Sequence, residues 1–192
     1  HTLYLAAALW LLSIPWLFAP SSGATHSLIW RSIKMTLCLI FMLATWVAIK
    51  TLHQWHPVWL LCLLFLVWAA DVGAYAAGKT LGRHKLAPRV SPGKTWEGLL
   101  GGLITAVVCM LIAAYLANYW PQPWWLIIPS TVLVALISVH GDLLISWLKW
   151  QEGTKDTGHI FPGHGGMMDR IDSLAAAAPF FTLAVDGWQQ YL

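Results

Sequence analysis

The sequence predicts an all-α integral membrane protein, with about six transmembrane helices and a polar site at the cytoplasmic side. Three observations carry that prediction. The 192 residues are 58% hydrophobic and only 10% charged, whereas a soluble domain carries roughly a quarter charged residues. Apolar runs long enough to cross a bilayer, which takes about 20 residues, recur along the chain. Many of the fourteen tryptophans flank those runs, among them Trp55, Trp59, Trp120, Trp124, Trp125 and Trp188, the pattern of an interfacial aromatic belt. Each run is read as a helix because an isolated lipid-exposed strand leaves its backbone groups unsatisfied.

The segments, in order, are 3–19, 33–50, 57–77, 98–118, 124–147 and 171–188. Pro15 breaks the first, since it has no N–H to donate. The chain starts at His1 and is apolar by Leu3, with no basic n-region before that stretch and no small-residue cleavage site after it. It is therefore not read as a signal peptide, and the expectation is a fragment of a longer membrane protein. Cys38, Cys62 and Cys109 lie in separate apolar runs, which points to packing residues and away from a disulfide framework or a thiolate metal site. There is no internal repeat, low-complexity linker or soluble domain, so residues 1–192 read as one transmembrane region.

Charge placement predicts the topology. The stretch 78–97 holds five of the eleven Lys and Arg residues, which makes it cytoplasmic by the positive-inside rule. Alternation puts 20–32 and 148–170 on the same side, in agreement with Arg31, Lys149, Lys155 and Arg170. The uncharged links 51–56 and 119–123 then face outward, and Lys50 at an outer end can snorkel. His53 and His56, in the first of those links, lack a third ligand and read as solvated loop residues rather than a metal site.

The carboxylates gather at the cytoplasmic side: Asp71, Glu97, Asp142, Glu152, Asp156, Asp169 and Asp172, with Asp186 alone near an outer end. Asp71 and Asp142 interrupt apolar runs, at a cost of about 2.5–3.5 kcal/mol each on insertion scales. One such aspartate reads equally well as the partner of a lysine between helices. Two near the same end, beside charged loops, favour a site. Carboxylates held together need a cation between them, and oxygen-only ligands suit Mg²⁺. Asp142 reads as the end of one helix and Asp169 and Asp172 as the opening of the next, so a hairpin can bring Asp142 and Asp169 around a metal. Between them, in KDTGHIFPGHGGMMDRID, Lys155, His164 and Arg170 are available for anionic oxygens, and Gly163, Gly165 and Gly166 permit close backbone approach.

A second cluster is SPGKTWEG at 91–98. Ser91, Lys94 and Thr95 offer hydroxyls, a cation and backbone N–H groups ahead of a helix starting near Trp96, a natural place for phosphate. The bland alternative is a Ser-capped helix start with an ordinary positive-inside lysine. Residues 73–80, GAYAAGKT, satisfy the P-loop spacing but lack the preceding strand and free helix start that a P-loop needs. They read as small residues at a helix end.

Ser146-x-Leu148-Lys149, Lys155-Asp156 and Pro162-x-His164-Gly165-Gly166-x-x-Asp169-Arg170-x-Asp172 together resemble the signature of the phosphatidate cytidylyltransferase (CDP-diacylglycerol synthase) family. Asp71-x-x-Ala74-Tyr75-x-x-Gly78 and Ser91-Pro92-x-Lys94-Thr95 match its bacterial members too. The likeness covers 71–98, a nucleotide-phosphate region, and 141–179, with the metal and signature residues within 141–173; residues 1–70 carry membrane helices without motifs. It implies transfer of the cytidylyl group from CTP to phosphatidic acid, giving CDP-diacylglycerol and pyrophosphate, in a multi-pass protein of the cell inner membrane whose site faces the cytoplasm. It implies Mg²⁺, with room for a second cation, and a homodimer in the lipid bilayer that binds no nucleic acid. By position, Asp142 and Asp169 are the metal carboxylates. Asp71, Tyr75, Ser91, Lys94, Thr95 and Ser146 bind substrate, and Lys149, Lys155, Asp156, His164, Arg170 and Asp172 complete the catalytic set. One departure stands out: Trp150 follows Lys149 where the family usually has arginine, replacing a guanidinium suited to phosphate by an aromatic. His140, beside Gly141-Asp142, is a polar choice that a hydrogen-bonded core histidine would explain.

Other readings remain at this stage. A CTP-dependent lipid-alcohol kinase, or a cytidylyltransferase for another lipid phosphate, would share the superfamily. An intramembrane metal-dependent phosphatase would need no CTP, and a cation-coupled transporter would use the buried aspartates without releasing pyrophosphate.

Overall fold

A computed structural model describes residues 1–18, 28–117, 124–151 and 168–189, with backbone alone for 18, 117, 124 and 168–170. Among these lie helices α1 (Thr2–Leu12), α2 (Leu28–Trp55), α3 (Pro57–Leu81), α4 (Trp96–Ala117), α5 (Trp124–Gln151) and α6 (Met168–Gln189). A short 3₁₀ turn, Ile14–Phe18, follows α1, and two strands, β1 (Lys85–Ala87) and β2 (Ser91–Thr95), lie between α3 and α4.

The six expected apolar segments all appear as helices, but they are not equivalent. Four are long and apolar enough to cross a membrane: Leu28–Trp55, Pro57–Leu81, Trp96–Leu116 and Trp125–Gln151. The chain is thus an all-α, multi-pass membrane protein. The first segment divides at Ser13 and Pro15 into an 11-residue helix and a turn. α6 differs in its charge and its place. It carries Asp169, Arg170, Asp172 and Asp186 and lies inside the bundle, with Ala175–Ala178, Phe181, Thr182 and Val185 buried. Its alanine row lets α1, α2, α3 and α5 all approach it.

The expected link 51–56 is helix as far as Trp55. Only His56 separates α2 from α3; it is the N-cap of α3, its Nδ1 accepting from the Val58 N–H at 3.3 Å ahead of Pro57 at the first helical position. That geometry satisfies a donor the helix start leaves open. It gives His56 a structural role in place of the solvated loop expected of it.

α3 continues without interruption through GAYAAGKT to Leu81, so the P-loop spacing there is a helical coincidence, as expected. Its small residues have a packing purpose. A Cβ on Gly73 would collide with the Thr105 side chain; one on Gly102 would stand 2.7 Å from the Ala70 carbonyl oxygen, and one on Gly98 2.8 Å from that of Ala74. α3 and α4 are therefore in near-backbone contact, the close approach that small residues allow between membrane helices. Thr105 Oγ1 adds a hydrogen bond across the seam to the Ala69 carbonyl, 2.8 Å.

The β1–β2 hairpin is a feature that the helical reading of the sequence did not contain. It pairs antiparallel, Lys85 opposite Thr95 and Ala87 opposite Ser91, with an irregular register between. Elsewhere the core is aromatic and aliphatic: Trp10 stacks on Phe41 with centroids 4.0 Å apart.

Candidate active site

A cleft of about 830 Å³ opens where α3, the hairpin, α4, α5 and α6 meet. Leu64, Val67 and Trp68 of α3 form an apolar wall, and Asp71 and Tyr75 continue it along the same helix. The hairpin contributes Ser91, Gly93, Lys94 and Thr95, and Asp142 and Asp172 face in from α5 and α6. A greasy chain thus concentrates three carboxylates in one concavity, opposed by Lys79 and Lys94.

The closest charged contact joins two residues singled out by sequence. Lys94 Nζ lies 2.6 Å from Asp142 Oδ2, and the two side chains are 24% and 33% exposed. The pair is held but open to a solute in the cleft. Lys94 Nζ also donates to the Val139 carbonyl at 3.5 Å, one turn before Asp142 on α5. Ser146, one turn after it, donates its hydroxyl to Asp142 Oδ1 at 3.3 Å. Asp142 is therefore braced from its own helix and from the hairpin together.

Gly141 explains how Asp142 and Asp172 come to face one cleft. A Cβ there would stand 2.6 Å from the Ala176 methyl and 2.7 Å from the Asp172 carbonyl oxygen. The two helices touch through backbone at this level. Asp142 is not at the end of its helix, as expected from sequence, since α5 runs on to Gln151. Asp172 shares the cleft with Asp142, and Asp169 is on the first turn of α6, its side chain outside the described residues.

Of the residues proposed from sequence, Asp71, Tyr75, Ser91, Lys94, Thr95, Asp142 and Asp172 all line the cleft. Thr95 is also the cap of α4: its buried hydroxyl accepts from the Gly98 N–H at 3.1 Å. The serine cap considered for that helix start is thus a threonine cap, because Ser91 lies at the far end of β2. Ser146 is not among the lining residues and acts on Asp142 instead. Lys149 is half-buried in the last turn of α5. Lys155, Asp156 and His164 fall outside the described residues, as do the side chains of Asp169 and Arg170. Trp150, 40% exposed, does not line the cleft.

Among the described residues, no group of three His, Cys, Asp or Glu side chains is close enough to hold a metal ion. The acidic side chains that face the cleft among the described residues, Asp71, Asp142 and Asp172, are oxygen donors, a chemistry that fits Mg²⁺. His140 is buried, with Nε2 2.9 Å from Ser13 Oγ, which makes it the hydrogen-bonded core histidine. Glu97 was noted only as one of the cytoplasmic-side acids; it accepts from the backbone N–H groups of Arg83 and His84.

Residues 1–187 match the cytidylyltransferase family, including the stretch before 71 that carries no short motif. The chain is 39% identical to a phosphatidate cytidylyltransferase of Pseudomonas aeruginosa over 98% of its own length and 73% of the relative's. It is 51% identical to one of Haemophilus influenzae over 69% of its length and 47% of that relative. A solved intramembrane enzyme for archaeal membrane lipid biosynthesis aligns over 66% of this chain and 86% of its own, with a TM-score of 0.44 and 21% identity. With a match that takes in both the cleft and the helices around it, the chain belongs to the cytidylyltransferase family.

Proposed function

We propose that the chain transfers the cytidylyl group of CTP to phosphatidic acid, forming CDP-diacylglycerol and releasing pyrophosphate. The observation that carries the reading is the Lys94–Asp142 pair in a cleft with one apolar and one charged wall. A lipid phosphate needs such a two-natured site; a soluble phosphate ester does not. Relatives at 39% and 51% identity are phosphatidate cytidylyltransferases. The chain spans about half the length of several curated relatives it matches, so the activity of the whole protein is part of the proposal.

In the reaction, a phosphate oxygen of phosphatidic acid attacks the α-phosphorus of CTP. A new P–O bond forms, the bond from that phosphorus to the β-phosphate's bridging oxygen breaks, and pyrophosphate leaves with the electron pair. The nucleophile is already anionic and needs little general base. The protein's part is positioning and charge neutralisation. Lys94 and Ser91 hold nucleotide phosphate; Lys149, Lys155, His164 and Arg170 supply further donors. Asp142 and Asp169 would hold Mg²⁺, with Asp172 completing the acidic set, and such an ion would supply Lewis-acid polarisation of phosphoryl oxygens. Asp71 and Tyr75 border the lipid side, next to the apolar wall.

The site is placed facing the cytoplasm, where the basic residues of the hairpin region lie by the positive-inside rule, and two copies of the chain pair as a homodimer. Size measurement of the solubilised protein tests the last point.

The deciding experiment is release of pyrophosphate from CTP by purified protein, with and without phosphatidic acid. Pyrophosphate formed only with the lipid supports the proposal. CDP together with a phosphorylated alcohol identifies a kinase, phosphate release without CTP a phosphatase, and ion flux without pyrophosphate a transporter.

A further inference from the structure

We infer that Glu97 is a positioning residue for Lys94, acting through the hairpin and not on substrate. The inference rests on the proposed use of Lys94 for nucleotide phosphate. Glu97 stands in the first turn of α4 and is not among the residues lining the cleft. Its carboxylate reaches back to the chain leaving α3. Oε2 accepts from the Arg83 N–H at 3.1 Å, both oxygens are 3.3 Å from the His84 N–H, and Oε1 lies 2.7 Å from His84 Nδ1. In the opposite direction the Trp96 N–H donates to the His84 carbonyl at 3.0 Å. These bonds close a loop at the base of the hairpin, directly before the Lys85–Thr95 pair.

The hairpin needs such a closure. Its strands are three and five residues long with an irregular register, and an isolated two-stranded ribbon is at best marginally stable in water. Lys94 sits one residue before the cap, Thr95, and three before Glu97. With the base fixed, its side chain enters the cleft at the height of Asp142. With the base open, β2 swings on the α4 start and the lysine loses its aim. The ion pair itself contributes little to this, because His84 is 78% exposed and the charges are screened. The backbone N–H groups are the essential partners, as they tie main chain to main chain.

A purely stabilising Glu97, favourable at a helix N-terminus, would change stability and leave substrate selectivity alone. The positioning role predicts more. Glu97→Ala raises the KM for CTP by about tenfold or more, the scale of one lost charge-assisted contact, while the KM for phosphatidic acid stays within about twofold. Glu97→Gln, which keeps one carbonyl acceptor, falls between wild type and Glu97→Ala. Combined with Lys94→Ala, Glu97→Ala has little further effect, because both act through one contact. A second measurement needs no turnover: the rate at which an amine-reactive acylating reagent modifies Lys94, quantified by mass spectrometry in the full chain without nucleotide. It rises several-fold, on the order of threefold or more, in Glu97→Ala. Equal shifts of both KM values, additive double-variant losses or an unchanged Lys94 labelling rate would overturn the inference. If wild type itself forms no pyrophosphate from CTP and phosphatidic acid, the proposed function fails, and the labelling rate still decides the role of Glu97.

Discussion

Replacing Gly141 by alanine tests whether backbone contact between α5 and α6 sets the site. The added Cβ would lie 2.6 Å from the Ala176 methyl and 2.7 Å from the Asp172 carbonyl oxygen, close to 1 Å inside the roughly 3.5 Å of ordinary carbon contact. Neither neighbour is a flexible side chain, so the helices must part or rotate. Overpacking of this kind costs about 1–3 kcal/mol, which a bundle with this much buried surface can tolerate while remaining folded. The site is less tolerant, since Asp142 is the next residue on α5 and Asp172 is the residue struck. A displacement near 1 Å at a positioned group costs up to about a hundredfold in rate. The expectation is a folded Gly141→Ala protein with turnover reduced about ten- to a hundredfold, read as pyrophosphate release alongside a thermal melt in detergent. Gly187→Ala is the control, because a Cβ there meets nothing within 4 Å, and alanine in a helix is about 1 kcal/mol more favourable than glycine. Turnover of Gly141→Ala within about twofold of wild type would refute the idea that this contact sets the carboxylate geometry.

Asp142→Asn and Asp169→Asn should each lower the chemical rate at least about a hundredfold, the scale of losing a main charge-stabilising element, and chelation by EDTA should abolish wild-type turnover. Sustained turnover in EDTA removes the metal from the proposal. Lys85→Cys should resist an impermeant thiol reagent applied to intact cells while Pro121→Cys reacts; the reverse pattern inverts the topology. Trp150→Arg, which restores the guanidinium usual in the family, should lower the KM for phosphatidic acid about tenfold and leave that for CTP unchanged, whereas no change in either assigns Trp150 to interfacial anchoring.

The helices were legible because lipid permits few alternatives: an apolar run of sufficient length must satisfy its own backbone. The carboxylates that line the cleft were legible for the complementary reason, as Asp71 and Asp142 are costly in apolar segments unless they face a polar space. What was not legible depends on contacts between segments. Nothing in the sequence of α6 alone says that it is central, although its run of four alanines, 175–178, is the signal that several helices can approach it. The hairpin escaped because SPGKT contains Pro92 and Gly93, poor strand formers, and is held as a strand by its partner. The clasp at Glu97 escaped because its acceptor and donors are thirteen and fourteen residues apart, and backbone donors leave no trace in side-chain identity. Asp142 was placed at a helix end because the apolar run fades near Trp147. The helix itself persists to Gln151, since leaving the membrane core does not oblige a helix to stop.

The charge balance of the cleft bears on why a cation belongs to the proposed reaction. Among the described residues, Asp71, Asp142 and Asp172 face Lys79 and Lys94 across it, so in that part of the cleft the carboxylates outnumber the lysines before any substrate arrives. A nucleoside triphosphate and a lipid phosphate would each add negative charge to the same space. Lys94 cannot serve Asp142 at 2.6 Å and take full charge of the phosphates as well. On the proposed reading, Asp142 would hold a divalent ion, and Lys94 would then be available for phosphate, so that neither charge would be left unpaired, the costliest state in a low-dielectric surrounding. The Lys94–Asp142 pair keeps both groups aimed into the cleft. On that logic Lys94→Ala should harm CTP binding and also leave Asp142 without its counter-charge, so its effect should exceed that of Glu97→Ala, which misdirects the lysine but leaves its charge in place.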